Sequence, residues 1–212
     1  MKKFWNIFAF TITCVLLSIN TWAKDNAVIL LYHHVSNSTP NVTSVSPDTF
    51  REHMQYLAEH HKVLPLKQVI EALQNKQPLP DKTVVITFDD GYLSIYDTAF
   101  PLLEEFGFPF TLFVSTGPID RAQSNYMSWE NIKEMANAGV PIANHLVEHP
   151  YMLDKLQGET ETDWLYRMRE EILKSQSTII HHTGQDNKLL AYPYGEYNND
   201  IKELSEELGF IG

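Results

Sequence analysis

Thr83-Val84-Val85-Ile86-Thr87-Phe88-Asp89-Asp90-Gly91 is the stretch that decides how this chain is read. Its first six residues are mostly β-branched or aromatic with no polar alternation, which predicts a buried strand. The strand runs straight into two adjacent carboxylates and a glycine. Like charges at a strand end repel, and burial makes them costlier still, unless something positive lies beside them. A metal ion is the usual compensation, and an Asp-Asp-Gly turn that merely closes the strand is the plainer alternative. The flanking sequence has to choose.

Upstream, Ala27 to Tyr32 is a continuous apolar run, expected to be a strand buried on both faces and ending in His33-His34. Ser46-Pro47-Asp48 starts a helix with Phe50, Met54, Leu57 and Ala58 as its apolar stripe. A short Val63-Leu64 segment precedes a helix over about 66–74. Downstream, a helix over about 94–106 stops at Gly107, and Phe110 to Val114 is the next strand. Ser128 caps a helix that Gly139 ends, and Val140 to Ala143 is a short strand leading into Asn144-His145. A helix over about 160–176, a strand at Leu189-Leu190-Ala191 and a helix over 199–208 complete the series, with Phe210-Ile211 opening another strand. Strands alternating with helices imply an α/β domain with a parallel sheet.

The polar residues fall at one place in that pattern. His33-His34, Asp89-Asp90, His145 and Tyr194-Gly195 each follow the C-terminal end of an expected strand. In parallel α/β architectures, barrels above all, active sites are built at that edge. His145 and His149 lie four residues apart, within reach of one ion if the segment turns helically. His145-Leu-Val-Glu-His149 also fits an inverted zinc-peptidase pattern with Glu148 as base, but that reading needs a regular helix and Pro150 works against one. His53, His60-His61 and the pair His181-His182, expected in a loop before Gly184, read as solvated; Trp129 and Trp164 read as core.

Composition bounds the rest. The 212 residues are 43% apolar and 20% charged, ordinary for a globular domain. Met1-Lys2-Lys3, an apolar run from Phe4 to Ile19 and Thr21-Trp22-Ala23 read as a signal peptide over residues 1–23, with the domain over 24–212. Cleavage there removes Cys14, the single cysteine, and leaves 14 basic against 27 acidic side chains. Such a chain is expected to be exported to the periplasm, cell surface or medium, and to be a poor partner for nucleic acid.

With these residues placed, the chain resembles the polysaccharide deacetylases of the NodB-homology type, carbohydrate esterase family 4. Thr87-Phe88-Asp89-Asp90-Gly91 matches the first motif of that family, His145-x-x-x-His149-Pro150 the second, and Pro193-Tyr194-Gly195 the core of the third. Leu31-Tyr32-His33 and Ser128-Trp129-Glu130 are similar to it as well, and the likeness runs from about Ala27 to the end. The resemblance implies a distorted (β/α) barrel, incomplete at its C-terminus, and a metal-dependent amide hydrolase. Asp90, His145 and His149 would hold a divalent ion, zinc first, with cobalt, nickel or iron as other occupants of such a donor set. Asp89 would act as general base and the Tyr194 backbone N–H would stabilise the oxyanion, while His33, Tyr92, Pro193 and Gly195 would contact substrate. A general-acid histidine is expected beyond Gly212. Where the family's third motif has an arginine that orients the catalytic aspartate, this chain has Ala191, and Leu146 replaces the usual Ser or Thr.

The likeness is strongest to the poly-β-1,6-N-acetylglucosamine deacetylases of biofilm export systems. It implies an N-acetylglucosamine-containing exopolysaccharide as substrate and the polysaccharide export machinery as partner. Peptidoglycan or chitooligosaccharide deacetylation is the alternative of the same chemistry, and a non-catalytic sugar-binding relative is the alternative of a different class.

Overall fold

The computed structural model describes residues 26–211. The leader expected over residues 1–23, with Cys14, lies outside the described residues. In chain order the elements are β1 (Val28–Tyr32), β2 (His34–Val35), β3 (Ser44–Val45), α1 (Pro47–His60), β4 (Lys62–Val63), α2 (Leu66–Gln74) and β5 (Thr83–Phe88). A π-turn over Ile95–Ala99 then leads into α3 (Phe100–Phe106), followed by β6 (Thr111–Val114), α4 (Thr116–Asp120), α5 (Trp129–Asn137), β7 (Ile142–Asn144), α6 (Glu161–Thr183) and α7 (Asn199–Glu207). No helix among the described residues is long and apolar enough to cross a membrane.

β5 is the centre of a parallel sheet and is buried along its whole length. β1 runs along one edge of it, from Val28 opposite Val84 to Tyr32 opposite Phe88. β4 and β6 share the other edge, β4 at Thr83–Val84 and β6 at Thr87–Phe88. β7 follows β6, and one parallel bridge from Asn144 to Leu190 extends the order. Successive residues of β5 serve different layers, because strand side chains alternate. Val84, Ile86 and Phe88 pack with Phe50, Met54 and Leu103 from α1 and α3; Val85 packs on the opposite face with Leu66 and Val69 of α2, Phe113 and Ala143. A third cluster, Leu146, Met152, Trp164, Met168, Ile172 and Ile201, joins α6 and α7 beneath the loop after β7.

The helix ends have local causes. Ser46 accepts the Thr49 N–H at the start of α1, and Ser128 with Asn131, and Thr160 with Asp163, form reciprocal caps on α5 and α6. Pro101 cannot donate to a carbonyl one turn back, and the chain before it widens into the π-turn.

Four expectations change. The apolar run of β1 is not buried on both faces: Val28, Ile29 and Leu31 are 57%, 55% and 53% exposed, because β1 pairs with β5 alone among the described strands. The helix expected over 160–176 continues to Thr183 and ends at left-handed Gly184, so His181 and His182 occupy its last turn. The His182 ring stacks on Trp129 at 4.1 Å and 2°. Leu189–Ala191 contributes one bridge rather than a full strand, and Phe210–Ile211 forms no strand among the described residues, the Ile211 N–H donating to the Lys188 carbonyl at 2.9 Å and the Ile211 carbonyl accepting from Gln74 at 3.1 Å.

Candidate active site

The sheet delivers the motif residues to one edge. The Asp89 N–H still continues the ladder, donating to the Tyr32 carbonyl at 3.0 Å. Asp90 then turns into the left-handed region at φ 71°, followed by Gly91 at φ 87°. That reversal points the Asp90 carbonyl at the Ser115 N–H (3.3 Å) and the Gly91 carbonyl at the Met127 N–H (2.9 Å), anchoring the turn to the ends of its neighbours. A Cβ on Gly91 would sit 3.2 Å from Ile119 Cδ1 in a conformation that L-residues avoid, so glycine is the fitting residue there.

After β7 the chain does not form a helix. Leu146 and His149 both adopt positive φ, 64° and 52°, and the loop is held by its surroundings. The Asn144 side chain accepts the Leu146 N–H at 2.9 Å and donates to the Ile172 carbonyl at 2.9 Å. Glu171 of α6 accepts both the Val147 and Glu148 N–H groups, at 3.0 and 3.2 Å. Gly117 donates to the Val147 carbonyl at 2.8 Å, an approach so close that a Cβ there would meet that oxygen at 2.7 Å. Glu148 itself is bound by Arg121 through two bonds of 2.6 and 2.8 Å. The peptidase reading therefore fails on both its requirements: the histidines are not on a helix, and the proposed base is engaged elsewhere.

Four motif residues, Asp90, Leu146, His149 and Tyr194 (φ 58°), stand in left-handed conformations uncommon for non-glycine residues. Such strain persists only where the surrounding structure over-determines it, and it collects at functional sites. Here it brings Asp90, His145 and His149 together.

One donor atom from each of these three lies within 4.8 Å of the others. Asp90 Oδ1 is 3.5 Å from His145 Nε2 and 3.4 Å from His149 Nε2. Those gaps are long for direct hydrogen bonds. They match the spacing of roughly 3.3–3.5 Å between nitrogen and oxygen ligands on one tetrahedral zinc-like ion. His145 is prepared for that role: its Nδ1 lies 2.8 Å from the Ala191 carbonyl, which can only accept, so the proton sits on Nδ1 and the Nε2 lone pair faces Asp90. Burial pushes the His145 pKa down to about 4, against the opposing pull of Asp90, and lowers that of His149 as well. Both imidazoles are neutral at pH 7, as metal ligation requires.

Asp89 is the second carboxylate. It is buried, its Oδ1 has no hydrogen-bond partner, and its Oδ2 lies 3.9 Å from His145 Nε2. Burial, and then the charge of Asp90, raise its pKa to about 8. A divalent cation beside Asp90 answers both the orphaned oxygen and the repulsion. The residues fit the group.

The remaining expected contacts surround this centre. His33 Nε2 is 4.0 Å from Asp90 Oδ2. The Tyr92 ring stacks on His34 at 3.7 Å, and its hydroxyl pKa is raised by burial and by Asp90. Pro193 is buried at the head of the turn Pro193–Gly195, whose Tyr194 ring meets His149 edge-on at 4.5 Å and lies exposed beside it. Sequence reading gave no role to Glu171, Asn144, Arg121 or Tyr151. A carboxylate one turn from Met168 and beside Ile172, on the buried side of α6, was the available sign for Glu171.

The sequence profile described as polysaccharide deacetylase matches residues 76–211. The chain belongs to the polysaccharide deacetylase family. Bacillus subtilis YxkH, named for that family, is 29% identical over 194 residues, covering 91% of this chain and 65% of the relative. The poly-β-1,6-N-acetyl-D-glucosamine N-deacetylase of Escherichia coli K12 is 25% identical over 232 residues, covering 92% of this chain and 34% of the relative. This deacetylase-family chain thus spans only part of the length of those relatives. Among solved structures, IcaB from Ammonifex degensii superposes with a TM-score of 0.77 at 28% identity, over 88% of this chain and 82% of that one. The parallel α/β fold is therefore that of this deacetylase family.

Proposed function

We propose that this chain is a metal-dependent hydrolase that removes N-acetyl groups from a poly-N-acetylglucosamine exopolysaccharide. The observation that carries the reading is the convergence of Asp90, His145 and His149 beside the buried, unpaired carboxylate oxygen of Asp89. A divalent cation, zinc by donor preference, would supply Lewis-acid polarisation of the acetamide carbonyl and acidify a water. Asp89 takes the proton of the attacking water as the new carbon–oxygen bond forms. Burial and the charge of Asp90 raise its pKa, and a neighbouring cation would oppose that rise, leaving Asp89 ionised and able to accept the proton. The Tyr194 backbone N–H is assigned to the developing oxyanion. The carbon–nitrogen bond then breaks, the leaving nitrogen takes up a proton equivalent to the one Asp89 accepted, Asp89 returns to its ionised form, and acetate and a free amine remain.

The polymer assignment draws support from the names of the Escherichia coli relative and of its counterparts in Staphylococcus epidermidis. The leader read over residues 1–23 supports an exported protein, acting where such a polymer is assembled or secreted. The test is acetate release from poly-β-1,6-N-acetylglucosamine and from chitooligosaccharides, using protein stripped of metal and then restored with zinc or cobalt. Release is expected to require metal, to favour the β-1,6 polymer, and to fall about 100-fold or more in Asp89→Asn, which keeps the metal donors. Equal release by Asp89→Asn and wild type would refute the assigned base. Metal loading without any release would refute hydrolysis by this chain, leaving a missing general acid or a sugar-binding relative as the readings.

A further inference from the structure

We propose that Tyr151, stacked on Tyr194, forms a flat subsite for the sugar unit next to the one being deacetylated, a specificity element resting on the deacetylase reading above. The two rings lie face to face, 4.1 Å apart and 7° from parallel. Tyr194 in turn meets the ring of His149, the metal-ligand candidate, edge-on at 4.5 Å. Three rings thus lead away from the metal donors in sequence: His149, Tyr194, Tyr151.

Both tyrosines are more than half open to solvent, 51% for Tyr151 and 56% for Tyr194. Large aromatic rings with that much exposure are ordinary when scattered singly, but a fixed parallel pair beside a reaction centre is a binding feature. The pair is also held in place by its backbone. Pro150 precedes Tyr151 and follows left-handed His149, while Tyr194 is itself left-handed within the Pro193–Gly195 turn. Stacking on Tyr194 occupies one face of Tyr151 and leaves the other available.

That face selects a ligand class. A β-linked pyranose in its chair form carries its axial C–H bonds on a flat, weakly positive surface, which complements the electron-rich face of an aromatic ring. A free amine, the product left on a neighbouring unit, adds a cationic group that the same face attracts, and the chain's net charge of −11 favours such a polymer in general. Small acetylated sugars reach the metal donors without touching Tyr151, whereas oligomers cover it.

The experiment compares Tyr151→Ala and Tyr151→Phe with wild type on N-acetylglucosamine oligomers of one to five units. In Tyr151→Ala the ratio of kcat/KM for the pentamer to that for the monomer is expected to fall about tenfold, mainly through KM. Tyr151→Phe, which keeps the ring and loses the hydroxyl, should retain most of the ratio. An equal loss on both lengths, or no loss on either, overturns the subsite. Binding of the pentamer to Asp89→Asn with and without Tyr151→Ala, read by saturation-transfer NMR, separates the two ideas. Tyr151-dependent binding without hydrolysis by wild type would sustain the subsite and sink the deacetylase reading. Binding that ignores Tyr151, or no binding at all, would sink the subsite.

Discussion

Glu171→Ala should loosen the histidine loop from a position outside the Asp90, His145 and His149 cluster. The carboxylate accepts the Val147 and Glu148 N–H groups at 3.0 and 3.2 Å, bracketing the segment whose next residue is His149. Hydrogen bonds to a charged acceptor are worth about 1.5–3 kcal/mol each, and water reaching a half-buried loop recovers part of that. A net loss of about 2–3 kcal/mol follows, or a drop in Tm of roughly 5–10 °C for a domain of this size. The same loss should reach the metal donors, since residues that support ligands from outside are worth about 10–100-fold in metal affinity. Zinc titration against a competing chelator, beside thermal melts of the metal-free protein, measures both quantities. Glu171→Gln retains one acceptor oxygen without its charge and should fall between wild type and Glu171→Ala in each. A Tm within about 1 °C of wild type would refute the bonding argument. A lowered Tm with unchanged zinc affinity would show that Glu171 stabilises the fold without positioning the ligands.

Trp164→Ala tests the same loop from beneath: the indole is 1% exposed and donates to the Met152 carbonyl at 2.8 Å, so truncation should remove about 3–5 kcal/mol and lower Tm by roughly 10 °C, whereas a change of a degree or two would mean the cluster under the loop is not packed as described. Glu159 carries a pH signature, because its bonds to Arg167 at 2.7 Å hold its pKa down to about 2. A depressed carboxylate stabilises above its unfolded pKa of about 4.3 and loses that contribution as pH falls toward its folded value. The Tm deficit of metal-stripped Glu159→Gln should therefore be full at pH 6, shrink below about pH 4.3 and vanish near pH 2; a deficit independent of pH would count against the ion pair.

Much of the sheet was legible because its signals are local. β5 announces itself as an unbroken β-branched run, and Gly107 and Gly184 stop helices through left-handed conformations that need no side chain. What failed depended on distant partners. β1 carries the same apolar signature as β5, yet burial comes from neighbours on both edges, and β1 has one among the described strands. α6 was expected to stop at Gln176, with His181 and His182 in a loop, whereas Gln176 is buried and bonded to the Asn144 side chain and to Asp186, and the helix runs on past it. A polar residue satisfied by tertiary contacts cannot be told from a solvated one by its sequence alone.

The site divides along the same line. Asp89, Asp90, His145 and His149 could be picked out because their chemistry is uncommon at strand ends, but nothing in the sequence says that His149 reaches Asp90. Helical spacing was the obvious route between His145 and His149, and the chain does not take it. Instead Leu146 and His149 are pushed to positive φ, a conformation that costs on the order of 1–3 kcal/mol per residue. The offset comes from Asn144, Gly117 and Glu171, which together satisfy the backbone groups on either side. Proline at position 150 removes the helical alternative from the other end. The placing of the two histidines is thus a property of the loop's supports more than of the histidines themselves. A chain that kept both histidines but lost Glu171 or Gly117 would keep the motif and hold its side chains less firmly in place.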